Sequence, residues 1–162
     1  MRLIALLGFA SSFFAVQADT TKPVNSDTIE THVVEINQLL QVADQQIGTP
    51  YSYGGCAPSG FDCSGFIKYC FETALDMELP HRSEEIAALG SAVSRTDARP
   101  GDIITFTGRS INGVVGHVGI VYEVTVDAVY FIHSSSSNGI RVDKVKSHYW
   151  QKRFLGIRRI LD

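Results

Sequence analysis

The chain has no surplus of positive charge: 14 Lys and Arg stand against 17 Asp and Glu, for a formal net charge of −3. Without a basic face to release counterions, a broad electrostatic grip on nucleic acid is excluded. Cysteine is scarce too. Cys56, Cys63 and Cys70 are odd in number, so at least one thiol stays unpaired unless it pairs between chains. Their spacing of seven and seven residues, with only His81 near, lacks the paired ligands of a zinc site. No apolar run reaches the roughly 20 residues that a membrane-spanning helix needs. No internal repeat is visible, and 162 residues fit one domain rather than two.

Residues 1–18 read as an address rather than as structure. Arg2 gives a positive start, Leu3 to Phe14 form a short apolar run, and Val16-Gln17-Ala18 offers small residues where a signal peptidase reads. Cleavage is expected after Ala18, giving a periplasmic or secreted protein. No cysteine sits at that point, so no stable membrane anchor is expected. Residues 19–28 are polar, contain Pro23 and read as a flexible lead-in. Residues 29–162 then form a single folded domain.

Within it, apolar residues at Ile29, Val33, Ile36, Leu39, Ala43 and Ile47 fall at helical spacing, with Ser26 or Asp27 as cap and Gly48-Thr49-Pro50 as stop. Cys63 to Leu75 predicts a second helix with the stripe Phe66, Ile67, Cys70 and Phe71. Ser83 to Leu89 predicts a short third one. After Pro100 the pattern turns to β-branched and aromatic runs: 102–107, 117–124, 129–134, 140–142 and 154–161. Helices first and strands afterwards predict an α+β domain with N-terminal helices packed on an antiparallel sheet of about five strands.

The chemistry concentrates at Gly60-Phe61-Asp62-Cys63-Ser64-Gly65-Phe66. A thiol attacks only as thiolate, and the first turn of a helix favours negative charge there through unpaired N–H groups and the helix dipole. The competing reading is a buried structural cysteine at a helix start, with Asp62 as its cap. A base is available in Gly116-His117-Val118-Gly119, where glycines allow close backbone approach. A lone strand histidine is usually structural. Here a second one, His133 in Tyr130-Phe131-Ile132-His133-Ser134, lies where a hairpin turning near Thr125 to Ala128 would set it beside His117 and orient its ring. Lys144, Lys146, Lys152, Arg153, Arg158 and Arg159 form a basic group that reads as the solvated face of a terminal strand or as a hold on an anionic polymer.

Taken together and in order, Gly48-Thr49-Pro50-Tyr51, Tyr53-Gly54-Gly55, Gly60 to Phe66, Leu79-Pro80 with Ser83, Pro100-Gly101-Asp102, Gly116 to Val121 and Phe131 to Ser134 resemble the NlpC-type family of bacterial cell-wall cysteine peptidases. The resemblance runs from about Ile47 to the C-terminus. It implies a papain-like fold with Cys63 as nucleophile, His117 as base and His133 as the orienting third residue. It implies that Tyr51 helps the Cys63 N–H hold the oxyanion, and that Asp62 and Ser64 meet the free amine of a wall peptide. Arg82 is expected to line the substrate cleft, in an altered way, because His81 and Ile86 replace residues common in the family. The implied substrate is the stem peptide of peptidoglycan, cut between D-γ-glutamate and the diamino acid (usually diaminopimelate), with neither metal nor organic cofactor. The alternatives are a wall amidase, an antibacterial effector with the same chemistry, or a silent wall-binding module. No protein partner is legible, and nothing points beyond a monomer.

Overall fold

The computed structural model describes residues 26–161, so the expected signal segment and most of the lead-in lie outside the described residues. Helix α1 (Ser26–Asp44) begins three residues earlier than its apolar spacing suggested. A short hairpin, β1 (Cys56–Ala57) and β2 (Gly60–Phe61), leads into α2 (Cys63–Leu75). Then follow α3 (Ser83–Ile86), β3 (Ser91–Val93), β4 (Ile103–Thr107), β5 (Val115–Val124), β6 (Val129–Ser135), β7 (Gly139–Lys144), α4 (His148–Gln151) and β8 (Phe154–Arg159). The main sheet is antiparallel, with order β3-β8-β4-β5-β6-β7.

The sheet therefore has six strands, not about five. The extra one is Ser91–Val93, an edge strand on β8. Its residues are small or half-exposed, so no alternating apolar pattern announces it. The single helical turn α4 was missed as well, because four residues are too few to show a period.

Strand alternation divides the core in two. Ile103, Val118, Ile120 and Ile132 face α1 and α2, where they pack on Leu39, Ala43, Phe66, Ile67, Cys70 and Phe71. Burying Phe66, Ile67 and Phe71 of α2 is worth roughly 1.5–3 kcal/mol per side chain, enough to fix that helix against the sheet. The opposite face gathers Ile104, Phe106, Val121, Phe131, Val145 and Ile157. Asp102, from the Pro100-Gly101-Asp102 segment, has a structural task. Its buried carboxylate accepts two hydrogen bonds from Arg159, at 2.8 and 2.9 Å, and one from the Arg99 N–H at 2.9 Å, joining β4 to β8. Among the described residues no helix is long and apolar enough to cross a membrane.

Candidate active site

The cysteine is placed by local chemistry. Asp62 is extended (φ −86°, ψ 179°) and its Oδ1 accepts from the Gly65 N–H at 2.7 Å, capping α2 so that Cys63 is the first helical residue. Half-buried Cys63 points its Sγ to within 3.4 Å of Ser83 Oγ, and the N–H groups of Val118 and Ser64 also face the sulfur. These donors suit a thiolate, yet burial outweighs them and pushes the thiol up from its ordinary value. All three cysteines are free. Cys70 is fully buried and its thiol is driven up strongly by burial, whereas Cys56 is exposed on β1.

Tyr51 is fixed beside this thiol by backbone pairing. The Phe61 N–H donates to Pro50 O at 3.2 Å and the Ser52 N–H donates to Phe61 O at 3.0 Å, bracketing Tyr51. The Ser134 hydroxyl of β6 donates to the same Phe61 O at 2.7 Å, tying the tyrosine loop to the strand that carries His133. Burial, and then the proximity of Cys63 and Asp62, raise the Tyr51 hydroxyl, so it stays protonated and able to donate.

The imidazole arrives on β5. Phe106 pairs with His117 but Thr107 pairs with Val115, so Gly116 is an extra residue in the ladder, a bulge that re-aims the next side chain. Across the β5–β6 hairpin, Gly119 lies beside His133. A Cβ there would come within 2.8 Å of the Phe131 ring and 3.2 Å of His133 Cβ, so glycine permits the close approach. His117 Nε2 then sits 2.9 Å from His133 Nδ1, and His133 Nε2 sits 3.1 Å from Asp143 Oδ2.

Ionised Asp143 can only accept, so His133 Nε2 carries the hydrogen. Where His133 Nδ1 accepts, His117 Nε2 donates and the His117 Nδ1 lone pair is left free. Asp143 is held in turn by the Trp150 indole N–H at 3.1 Å and by Arg141 at 2.7 Å. Its carboxyl lies below the usual range: burial acts to raise it, and the hydrogen bonds from His133 and Trp150 together override that. Trp150 also stacks on His117, with ring centroids 5.1 Å apart and planes at 20°. Burial, aided by His133, lowers the His117 imidazole to about 3, so it is neutral at physiological pH.

Cys63, Tyr51, His117, His133 and Asp143 line one cleft of about 680 Å³. No direct hydrogen bond joins Cys63 to His117, a looseness common in unliganded sites that tighten on substrate. Burial favours the neutral form of both Cys63 and His117, which runs against the expectation of a resting thiolate.

Asp62, Ser64 and Arg82 are not among the residues that line this cleft, although the Asp62 charge acts on both Tyr51 and Cys63. Asp62 Oδ1 takes the Gly65 N–H, the Ser64 hydroxyl at 3.1 Å and His81 Nε2 at 3.3 Å, while Oδ2 takes the Gly54 N–H at 3.0 Å. Ser64 is buried and also faces the His81 carbonyl at 3.2 Å. Arg82 is exposed and does not line the cleft. Its guanidinium lies 3.9 Å from Glu84 and from Glu85, whose charges in the first turn of α3 draw it outward. Sequence reasoning missed Asp143 and Trp150. An acid on the strand after the second histidine was the available signal, but it needed the register.

That role for Asp143 carries a prediction. Asp143→Asn must turn its amide NH₂ either toward Arg141 or toward His133 and Trp150, so one contact becomes donor against donor. A fall in kcat of about 100-fold with KM little changed is expected on a wall-peptide substrate. Unchanged kcat would remove Asp143 from the relay.

The NlpC/P60 family model matches residues 48–159. A probable endopeptidase NlpC of Escherichia coli is 38% identical over 136 residues, covering 83% of this chain and 82% of that one. A gamma-DL-glutamyl hydrolase of Bacillus subtilis is 37% identical over 122 residues, 75% of this chain and 28% of that one. A murein DD-endopeptidase/LD-carboxypeptidase, MepS, of Escherichia coli is 32% identical over 151 residues, 91% of this chain and 77% of that one. Among solved structures, an NlpC/P60 family protein of Bacillus cereus superposes with a TM-score of 0.71 at 25% identity, over 78% of this chain. This chain spans only 40% of that solved chain.

Proposed function

The chain belongs to the NlpC/P60 family, and from that premise we propose that it is an exported cysteine peptidase that hydrolyses peptidoglycan stem peptides between D-γ-glutamate and the diamino acid. The observation that supports the reading is the hydrogen-bonded chain Asp143–His133–His117, whose three residues line the same cleft as Cys63. The relatives named as endopeptidases and as a gamma-DL-glutamyl hydrolase support a peptidase acting on wall peptides.

In the proposed cycle His117 Nδ1 takes the thiol proton as Sγ attacks the peptide carbonyl. The Cys63 N–H and the Tyr51 hydroxyl receive the developing oxyanion. The imidazolium then protonates the leaving amine, and water deprotonated by the same nitrogen releases the acyl group. On the acyl side, Asp62 Oδ2 keeps an acceptor position beyond the Gly54 N–H, which supports it, with Ser64 beside it, as the contact for the peptide's free amine.

The relative named a murein DD-endopeptidase favours a second reading, cleavage at crosslinks. Digesting purified muropeptides and weighing the products separates the readings. The expected products are a fragment ending in D-glutamate, released from stem peptides whose N-terminal amine is free, and a fragment beginning with the diamino acid. Crosslinked dimers resolving into intact monomers would replace this assignment with the DD reading. Sugars freed of the whole stem would replace it with the amidase reading.

A further inference from the structure

The cleft extends past His117 along a continuous row of rings. His117 stacks on Trp150, Trp150 meets Tyr149 edge-on with centroids 4.8 Å apart, and the Arg153 guanidinium lies 3.8 Å over the Tyr149 ring. Arg153 donates from Nη1 to Tyr149 O at 3.3 Å, but its Nε is buried and has no acceptor. On the opposite flank the bulge brings β4 and β5 together: a Cβ on Gly116 would fall 2.7 Å from Gly108 Cα. Arg109 follows that pinch directly, lines the cleft, and is exposed, with no hydrogen bond or ion pair among the described residues. Of the basic group near the C-terminus only Arg153 reaches the cleft. Arg158 is spent on the carbonyls of Leu89 and Gly90, and Arg159 on Asp102.

The charges do not balance. Asp143 is the single carboxylate among the cleft-lining residues, and His133, Trp150 and Arg141 already occupy it. Two guanidinium groups therefore face the cleft without an acidic partner. Their position also has a direction. His117 must protonate the leaving nitrogen, so the leaving half of the substrate lies on the imidazole side and the acyl half on the Cys63 and Tyr51 side. Arg109 and Arg153 flank the imidazole from the β4–β5 loop and from the turn after α4.

We propose that Arg109 and Arg153 form a carboxylate-binding subsite for the leaving half of the substrate, so that stem peptides whose diamino acid has free carboxylates are cut in preference to amidated ones. Guanidinium forks match carboxylates bidentately, and neither cleft-lining guanidinium of this pair has an acidic partner. The proposal rests on the stem-peptide reading above and names the chemistry of its leaving group.

The test compares L-Ala-γ-D-Glu-diaminopimelate with the same tripeptide amidated at both diaminopimelate carboxylates, using the wild type, Arg109→Gln and Arg153→Gln. Wild type is expected to favour the free acid by at least about tenfold in kcat/KM, through KM, with the preference shrinking as salt rises. Each substitution is expected to reduce that ratio by about threefold to tenfold. Arg153 packs on Tyr149 and its loss can disturb α4, so Arg109→Gln, which breaks no hydrogen bond or ion pair among the described residues, is the deciding variant. Equal rates on both peptides in wild type, or an undiminished ratio in Arg109→Gln, would overturn the subsite. A binding arm separates this from the function itself: free diaminopimelate and its diamide are titrated by NMR into Cys63→Ala. Acid bound in preference to diamide, and lost in the Cys63→Ala/Arg109→Gln double variant, upholds the subsite even if neither tripeptide is cleaved, a result that would end the endopeptidase reading alone. No preference between acid and diamide ends the subsite alone.

Discussion

Replacing Cys63 by alanine is expected to abolish wall-peptide cleavage, by at least about 10⁴-fold, while thermal unfolding moves by no more than about 3 °C. The separation follows from where the sulfur sits. The weight of α2 is carried by Phe66, Ile67, Cys70 and Phe71, all fully buried, whereas Cys63 is half-buried at the helix start and packs only against the edge of that cluster. The α2 cap belongs to Asp62 and survives the change. No other thiol can replace it: Cys70 is sealed in the core and Cys56 is on the outer hairpin. Release of muropeptide fragments, followed by mass, gives the readout, and circular dichroism gives the control. Residual activity within tenfold of wild type in a folded Cys63→Ala protein would end the nucleophile assignment.

His117→Gln is expected to cost about 10³-fold in kcat, the range of a general base, and to change how stability depends on pH. The sign follows from burial. His117 titrates at about 3 in the folded protein against an ordinary 6.5. Between those values the unfolded chain binds a proton that the folded one refuses, so stability is full above about 6.5 and falls as the solution is acidified toward 3. The slope from this one group is at most about 1.4 kcal/mol per pH unit. Urea midpoints measured from pH 7 to pH 4 should therefore fall less steeply in His117→Gln than in wild type. Identical slopes would mean that the imidazole is not held neutral by its surroundings.

The sequence had most of what a chain encodes locally. Helix α2 is legible to the residue, because a capping aspartate, a following apolar stripe at i, i+3, i+4 and i+7, and Leu79-Pro80 are all short-range signals. All five expected strands lie within two residues of their observed bounds at both ends, since β-branched runs between turn residues are local as well. Cys63, His117 and His133 were visible as residue types in favourable settings, and the Thr125–Ala128 turn that pairs the two histidine strands could be anticipated.

Only the tertiary structure decided how the His117 ring is held. That depends on Asp143 lying diagonally across from His133, in a register where His133 opposes Arg141, and a one-residue slip would turn Asp143 to the other face. It depends also on Trp150, delivered by a single helical turn whose position comes from packing against Phe106 and Phe131 rather than from any repeat in the chain. Arg82, a plausible cleft residue by position, is exposed and lies 3.9 Å from Glu84 and from Glu85. Strand and helix formation reward neighbours in sequence, whereas hydrogen-bond relays and charge partners are chosen among residues that folding brings together, and sequence distance carries no record of that choice.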